Sequence, residues 1–130
     1  MTHERASRIA ALASLGWMAL IFGLSSLPGG SIPVTGLSVQ GHFVLYAVLG
    51  GLYFLALFPR LAPRTAAIVA LTLASLYGIT DEFHQSFVPG RTPQVSDWLV
   101  DTLGAALAVL ALWWAMSRRA RLGKGTHDGK

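Results

Sequence analysis

The sequence predicts an all-α integral membrane protein, a bundle of four transmembrane helices with both termini cytoplasmic. Three observations predict it. Of 130 residues, 53% are hydrophobic and only 12% charged, about half the charged share of a soluble domain. The apolar residues form long runs: from Ile9 to Pro59 the only ionisable side chains are His42, Tyr46 and Tyr53, and a span needs about 20 such residues to cross the hydrocarbon core. Positive charge collects at the chain ends and in one short connection, as in membrane proteins.

The length suggests one domain. It divides into a polar start over 1–8, a membrane domain over 9–117 and a basic tail over 118–130, expected to be disordered. The net charge of +4 does not indicate nucleic acid, because no basic helix face or base-stacking aromatic pattern accompanies it. The absence of cysteine excludes disulfides, thiolate metal sites and cysteine nucleophiles.

The first helix is expected over Ser7 to Ser26, ended by Pro28-Gly29-Gly30. Arg5 and Arg8 resemble the basic start of a signal peptide. However, Ile9 to Leu27 is longer than the usual core of about 7–15 residues, and no small-x-small cleavage site precedes Pro28. The run is therefore read as a retained span. An uncharged loop over 27–41 follows. The second helix begins near Val39 and ends before Pro59, with His42, Tyr46, Leu49 and Tyr53 at helical spacing. Its Gly50-Gly51 pair invites close approach of a neighbouring helix.

Pro59 to Arg64 makes a tight connection. The third helix runs from about Thr65 to Gln85, apolar through Leu76 and polar in its last two turns. Ser96 is the expected N-cap of the fourth helix, with Asp97 in its first turn, where negative charge suits the helix dipole. That helix continues to about Ser117, with Trp113-Trp114 as an interfacial anchor.

With four spans, Arg5, Arg8, Arg60, Arg64, Arg118, Arg119, Arg121 and Lys124 fall on one side, leaving only Arg91 on the other. The positive-inside rule puts that basic side in the cytoplasm. His42, the segment Asp81 to Gln85, Asp97 and Asp101 then lie together at the outer face.

Four of the six acidic residues, Asp81, Glu82, Asp97 and Asp101, are in this region. Ionisable groups in a membrane segment are costly and mark functional sites by default. Gly78, Asp81 and Gln85 share a face of the third helix, with His84 beside them, and Asp97, Asp101 and Gly104 share a face of the fourth. Partly buried carboxylates this close attract a proton or a cation. Arg91 and His42 are the groups within reach.

Three readings are open. The residues cap helices and fix the loop; or they perform acid–base chemistry; or they hold a divalent cation. No His-Glu-x-x-His spacing supports the third, so no cofactor or metal is expected. The tyrosines, Phe83 and Phe87 read first as packing or interface anchors. His42 is harder to explain structurally, because it interrupts an otherwise uncharged stretch.

The segment Asp81-Glu82-Phe83-His84-Gln85-Ser86-Phe87-Val88-Pro89-Gly90-Arg91, followed by Asp97 and Gly104, resembles the VanZ-like family of small bacterial membrane proteins. That family carries Asp-Glu-x-x-Gln, a Phe-x-Pro-x-Arg turn, then Asp and Asn ahead of a glycine. Its upstream Asp-Lys-x-x-His-Phe-x-x-Tyr segment is matched by His42, Phe43 and Tyr46, and Ser25-Ser26 also fits. Three positions depart: the family's upstream Asp and Lys fall on Ser38 and Val39, and its Asn on Asp101.

The family is named after a teicoplanin-resistance protein. The resemblance implies a protein of the bacterial cytoplasmic membrane whose outer-face site acts on or binds cell-envelope or glycopeptide components. Asp81, Glu82 and His42 are then the candidate acids or bases. Gln85, Arg91, Asp97, Asp101, His84 and Tyr46 are the candidate binding residues, with Arg91 suited to an anionic group such as phosphate. The partners implied are membrane lipid and an envelope precursor or glycopeptide, not nucleic acid. A non-catalytic binder or scaffold, or a small transporter subunit, is the alternative.

Overall fold

A computed structural model describes residues 2–31 and 39–125. Four helices make up the described chain: α1 (Thr2–Ser25), α2 (Val39–Leu57), α3 (Pro63–Gln85) and α4 (Val95–Gly125). All four are long and apolar enough to cross a membrane. Even α2, the shortest at 19 residues, is about 28 Å long at 1.5 Å per residue, close to the hydrocarbon thickness.

The helix ends differ from expectation where polar residues propagate a helix. α1 starts at Thr2, and an exposed Glu4–Arg8 pair at 2.7 Å supports its first turns. α3 starts at Pro63, since a proline in the first turn lacks only an amide hydrogen that would go unused there. α4 starts at Val95, so Gln94 rather than Ser96 holds the cap position, and the Gln94 carbonyl accepts the Asp97 amide at 3.0 Å. α4 continues to Gly125 through the basic stretch, whose Arg, Lys, Ala and Leu are good helix formers. The departing position Ser38 and the last five residues of the expected disordered tail lie outside the described residues.

α2 is the central element, packed against all three other helices, while α1 and α4 lie apart. Its contact with α4 is the closest. A Cβ on Gly50 would stand 2.9 Å from Ala105, and one on Gly104 would overlap the Phe43 carbonyl. The close approach expected at Gly50-Gly51 therefore forms at Gly50, and Gly104 supplies its counterpart on α4.

The surface is apolar and much of the polarity is internal. Leu12, Ile68, Phe83, Leu103 and Leu107 are exposed, whereas Ser7, Ser14, Ser25, His42, Asp81, Glu82, Gln85 and Asp101 are buried. This suits a lipid solvent, where leucine on the outside costs nothing and polar groups must meet each other inside.

Two hydrophobic clusters hold the bundle between its ends. One is Phe54, Ala66, Ala70 and Val109, and the other is Ile21, Tyr46 and Leu49. Ser7 ties α1 to the end of α2 by donating to the Ala56 carbonyl at 2.6 Å, and Arg60 donates to both groups. The start of α1 and the α2–α3 connection, both basic, therefore share one end of the bundle. The polar cluster is at the other.

Candidate functional site

Three helices build the cluster. α2 contributes His42 in its first turn and Tyr46 one turn later. α3 contributes Asp81, Glu82 and Gln85 from its last turns, and α4 contributes Asp101. Gly78 lets them converge. A Cβ there would stand 3.2 Å from Trp98, and 3.5 Å from both Asp101 Oδ2 and Tyr46 Cε1.

The centre is a pair. His42 Nδ1 lies 3.0 Å from Asp101 Oδ1, and the two residues are 4% and 0% exposed. With Asp101 as acceptor, Nδ1 carries the proton and Nε2 is left as the ring's other nitrogen. Glu82 is held from the loop, its Oε2 accepting the Gln94 backbone amide at 2.8 Å. Asp81 accepts from Gln85 Nε2 at 3.1 Å, one turn along α3. One donor atom each from His42, Glu82 and Asp101 lies within 4.8 Å of the others.

Three buried oxygens of this region have no hydrogen-bond partner among the described residues: Tyr46 OH, Glu82 Oε1 and Asp101 Oδ2. An unpartnered polar atom in an apolar interior costs about 1–3 kcal/mol, and more when charged. Three in one place mark a site with unused binding capacity.

Glu82 has a second outlook. It lines a largely apolar cavity of about 350 Å³ with Ile79, Pro93, Gln94, Val95 and Trp98. Ile79 and Val95 are exposed on the outer surface of the bundle, so the cavity opens sideways between α3 and α4. The Trp98 indole forms its wall, fixed by donating to Ser75. Neither Trp98 nor the Gln94 amide stood out in sequence. The visible signal for Trp98 is its place three residues before Asp101, on an adjoining face of α4.

The other candidates go elsewhere. Arg91 makes no ion pair among the described residues. It donates to the carbonyls of Leu24 and Leu27 at 3.0 and 3.1 Å, closing the end of α1. His84 also faces α1. Its ring stacks on Phe22 at 4.4 Å, and Nε2 lies 3.0 Å from the Ser26 hydroxyl. The Gly29 amide donates to the Pro89 carbonyl at 2.9 Å. Gly29 and Gly90 touch so closely that a Cβ on Gly29 would overlap Gly90, which sits at φ +73°. The Phe-x-Pro-x-Arg turn is thus a clamp between the α3–α4 loop and α1. Asp97 is half-buried in the first turn of α4.

The VanZ/LLP1 family matches residues 9–116, most of the chain and all four spans. No curated protein and no solved structure gives a significant match. Of the residues that carry the earlier resemblance, His42, Tyr46, Asp81, Glu82 and Gln85 join the buried cluster, Pro89 and Arg91 form the clamp, and Phe43 and Gly104 meet in the α2–α4 seam. The chain is a multi-pass membrane protein of the VanZ/LLP1 family.

Proposed function

We propose that the His42–Glu82–Asp101 cluster is the functional site, and that it receives a lipid-linked component of the bacterial cell envelope from the bilayer. The observation that carries this reading is the double position of Glu82. One face of it belongs to the buried cluster, and the other lines an apolar cavity open at the bundle's side. An amphiphile fits that arrangement, its chain along Ile79, Val95 and Trp98 and its polar part toward Glu82.

In this reading Glu82 binds the polar part of the molecule, and the His42–Asp101 pair completes the buried cluster behind it. Asp81 is steadied by Gln85 and supports the cluster from the adjoining turn. The protein lies in the cytoplasmic membrane with its basic end inside, which places the cluster at the outer face. A binding role without chemistry is favoured by the near-complete burial of His42 and Asp101, which leaves Glu82 as the member that lines the cavity.

The test is photocrosslinking in cells. A benzoylphenylalanine at Val95, on the cavity wall, is compared with one at Leu107, on the open apolar surface of α4. Enrichment of an envelope precursor or lipid-linked glycan at Val95 over Leu107 supports the proposal. The same bulk phospholipids at both positions contradict it.

A further inference from the structure

We propose that His42, Glu82 and Asp101 hold one divalent metal ion of the zinc or manganese class. The inference rests on the same cluster being the functional site, but not on its catalysing a reaction.

Geometry comes first. The three residues each bring a donor atom to within 4.8 Å of the other two. Metal–ligand bonds of about 2.0–2.2 Å put ligand atoms about 3.4 Å apart around a tetrahedral ion, so closure needs the donor atoms to draw together by no more than about 1.4 Å. No linear motif marks the set, because its members come from α2, α3 and α4.

The second observation is independent of the first. Each carboxylate has one oxygen fixed by the protein and one left over. Asp101 Oδ1 meets His42 and Oδ2 has no partner, while Glu82 Oε2 takes the Gln94 amide and Oε1 has none. The residues are 0% and 9% exposed. Partners that orient one atom of a ligand while leaving the other open are the usual support of a metal ligand. The Tyr46 hydroxyl, also fully buried and without a partner, is a further oxygen beside the set.

Charge points the same way. The two ion pairs among the described residues are Glu4–Arg8 and His42–Asp101, and Arg91 is committed to the carbonyls of α1. Glu82 therefore has no cationic partner. Leaving a buried carboxylate unpaired costs several kcal/mol, and one divalent ion answers Glu82 and Asp101 together. A single imidazole with carboxylates suits zinc, manganese or iron(II) rather than a soft ion.

The experiment uses the full chain in nanodiscs, stripped with a chelator and then given Zn²⁺, Mn²⁺ or Mg²⁺. Bound metal per chain is read by elemental analysis and the thermal midpoint by circular dichroism. Expected is one Zn²⁺ or Mn²⁺ per chain, with a raised midpoint. Glu82→Gln and His42→Gln should each weaken binding at least about tenfold, and His84→Gln should leave it unchanged. Asp101→Asn is added if its helix content is native, and the other two variants decide the matter if it is not. Absence of stoichiometric Zn²⁺ or Mn²⁺ on the folded wild type overturns the proposal, as does binding that survives both Glu82→Gln and His42→Gln. Lipid capture at Val95 without metal binding would leave the proposed function standing and remove only the ion.

Discussion

The imidazole of His42 and the carboxylate of Asp101 meet at 3.0 Å inside the bundle, from positions 59 residues apart in the chain. The close approach of α2 and α4 at Gly50 and Gly104 permits the contact. The pair is therefore both a product of helix packing and its polar lock.

Removing one member strands the other. His42→Ala or Asp101→Ala is expected to destabilise the bundle by about 3–5 kcal/mol, the usual effect of breaking a buried pair. The double variant should cost less than the sum, with a coupling on the order of 1–3 kcal/mol. Reversible unfolding in mixed micelles measures both. Additive losses would mean the two side chains do not interact.

The α2–α4 seam has no room for side chains at two glycines. Gly104→Leu forces the helices apart at the Phe43 carbonyl, with an expected loss of about 2 kcal/mol or more. Gly23→Ala, with nothing within 4 Å of the new methyl, should be neutral or gain up to about 1 kcal/mol, since glycine weakens a helix interior. Thermal midpoints of the two variants in the same nanodiscs separate the cases.

Arg91 is read here as a clamp on α1. Arg91→Lys keeps the charge but loses the forked donor that reaches Leu24 and Leu27 together. Amide exchange at Gly29 should then accelerate several-fold, because its bond to Pro89 is part of the same clamp. Unchanged exchange at Gly29 in Arg91→Lys would count against this role.

The orientation has its own check. A cysteine at Thr92 is expected to react with an impermeant maleimide added to intact cells, and one at Ala62 in the basic connection only after the cells are opened. The reverse pattern would move the cluster to the cytoplasmic face.

The membrane spans were plain in the sequence because lipid demands long apolar runs. Their ends were less plain. Thr2–Ser7 and Arg118–Gly125 are polar enough to read as tails, yet α1 and α4 continue through them. The cluster was half visible. His42, Asp81, Glu82 and Asp101 stood out because each is costly in an apolar chain, and all four are buried together. Which of them pair depends on how α2 meets α4, and no local pattern encodes that. Arg91 lies close in sequence to four carboxylates, but its loop folds back on α1, where helix-end carbonyls need a donor. The side cavity was invisible because its walls come from the end of α3, the loop and the start of α4.

The most direct measurement compares cells carrying wild-type protein, Glu82→Gln or no protein, with the first two at equal membrane levels. Lipid-linked envelope precursors are read by mass spectrometry and tolerance to teicoplanin by growth. If Glu82 joins the buried cluster to a lipid-derived ligand, Glu82→Gln folds and inserts normally but gives the profile of cells without the protein. A Glu82→Gln profile matching wild type, where wild type differs from the empty strain, would contradict that claim.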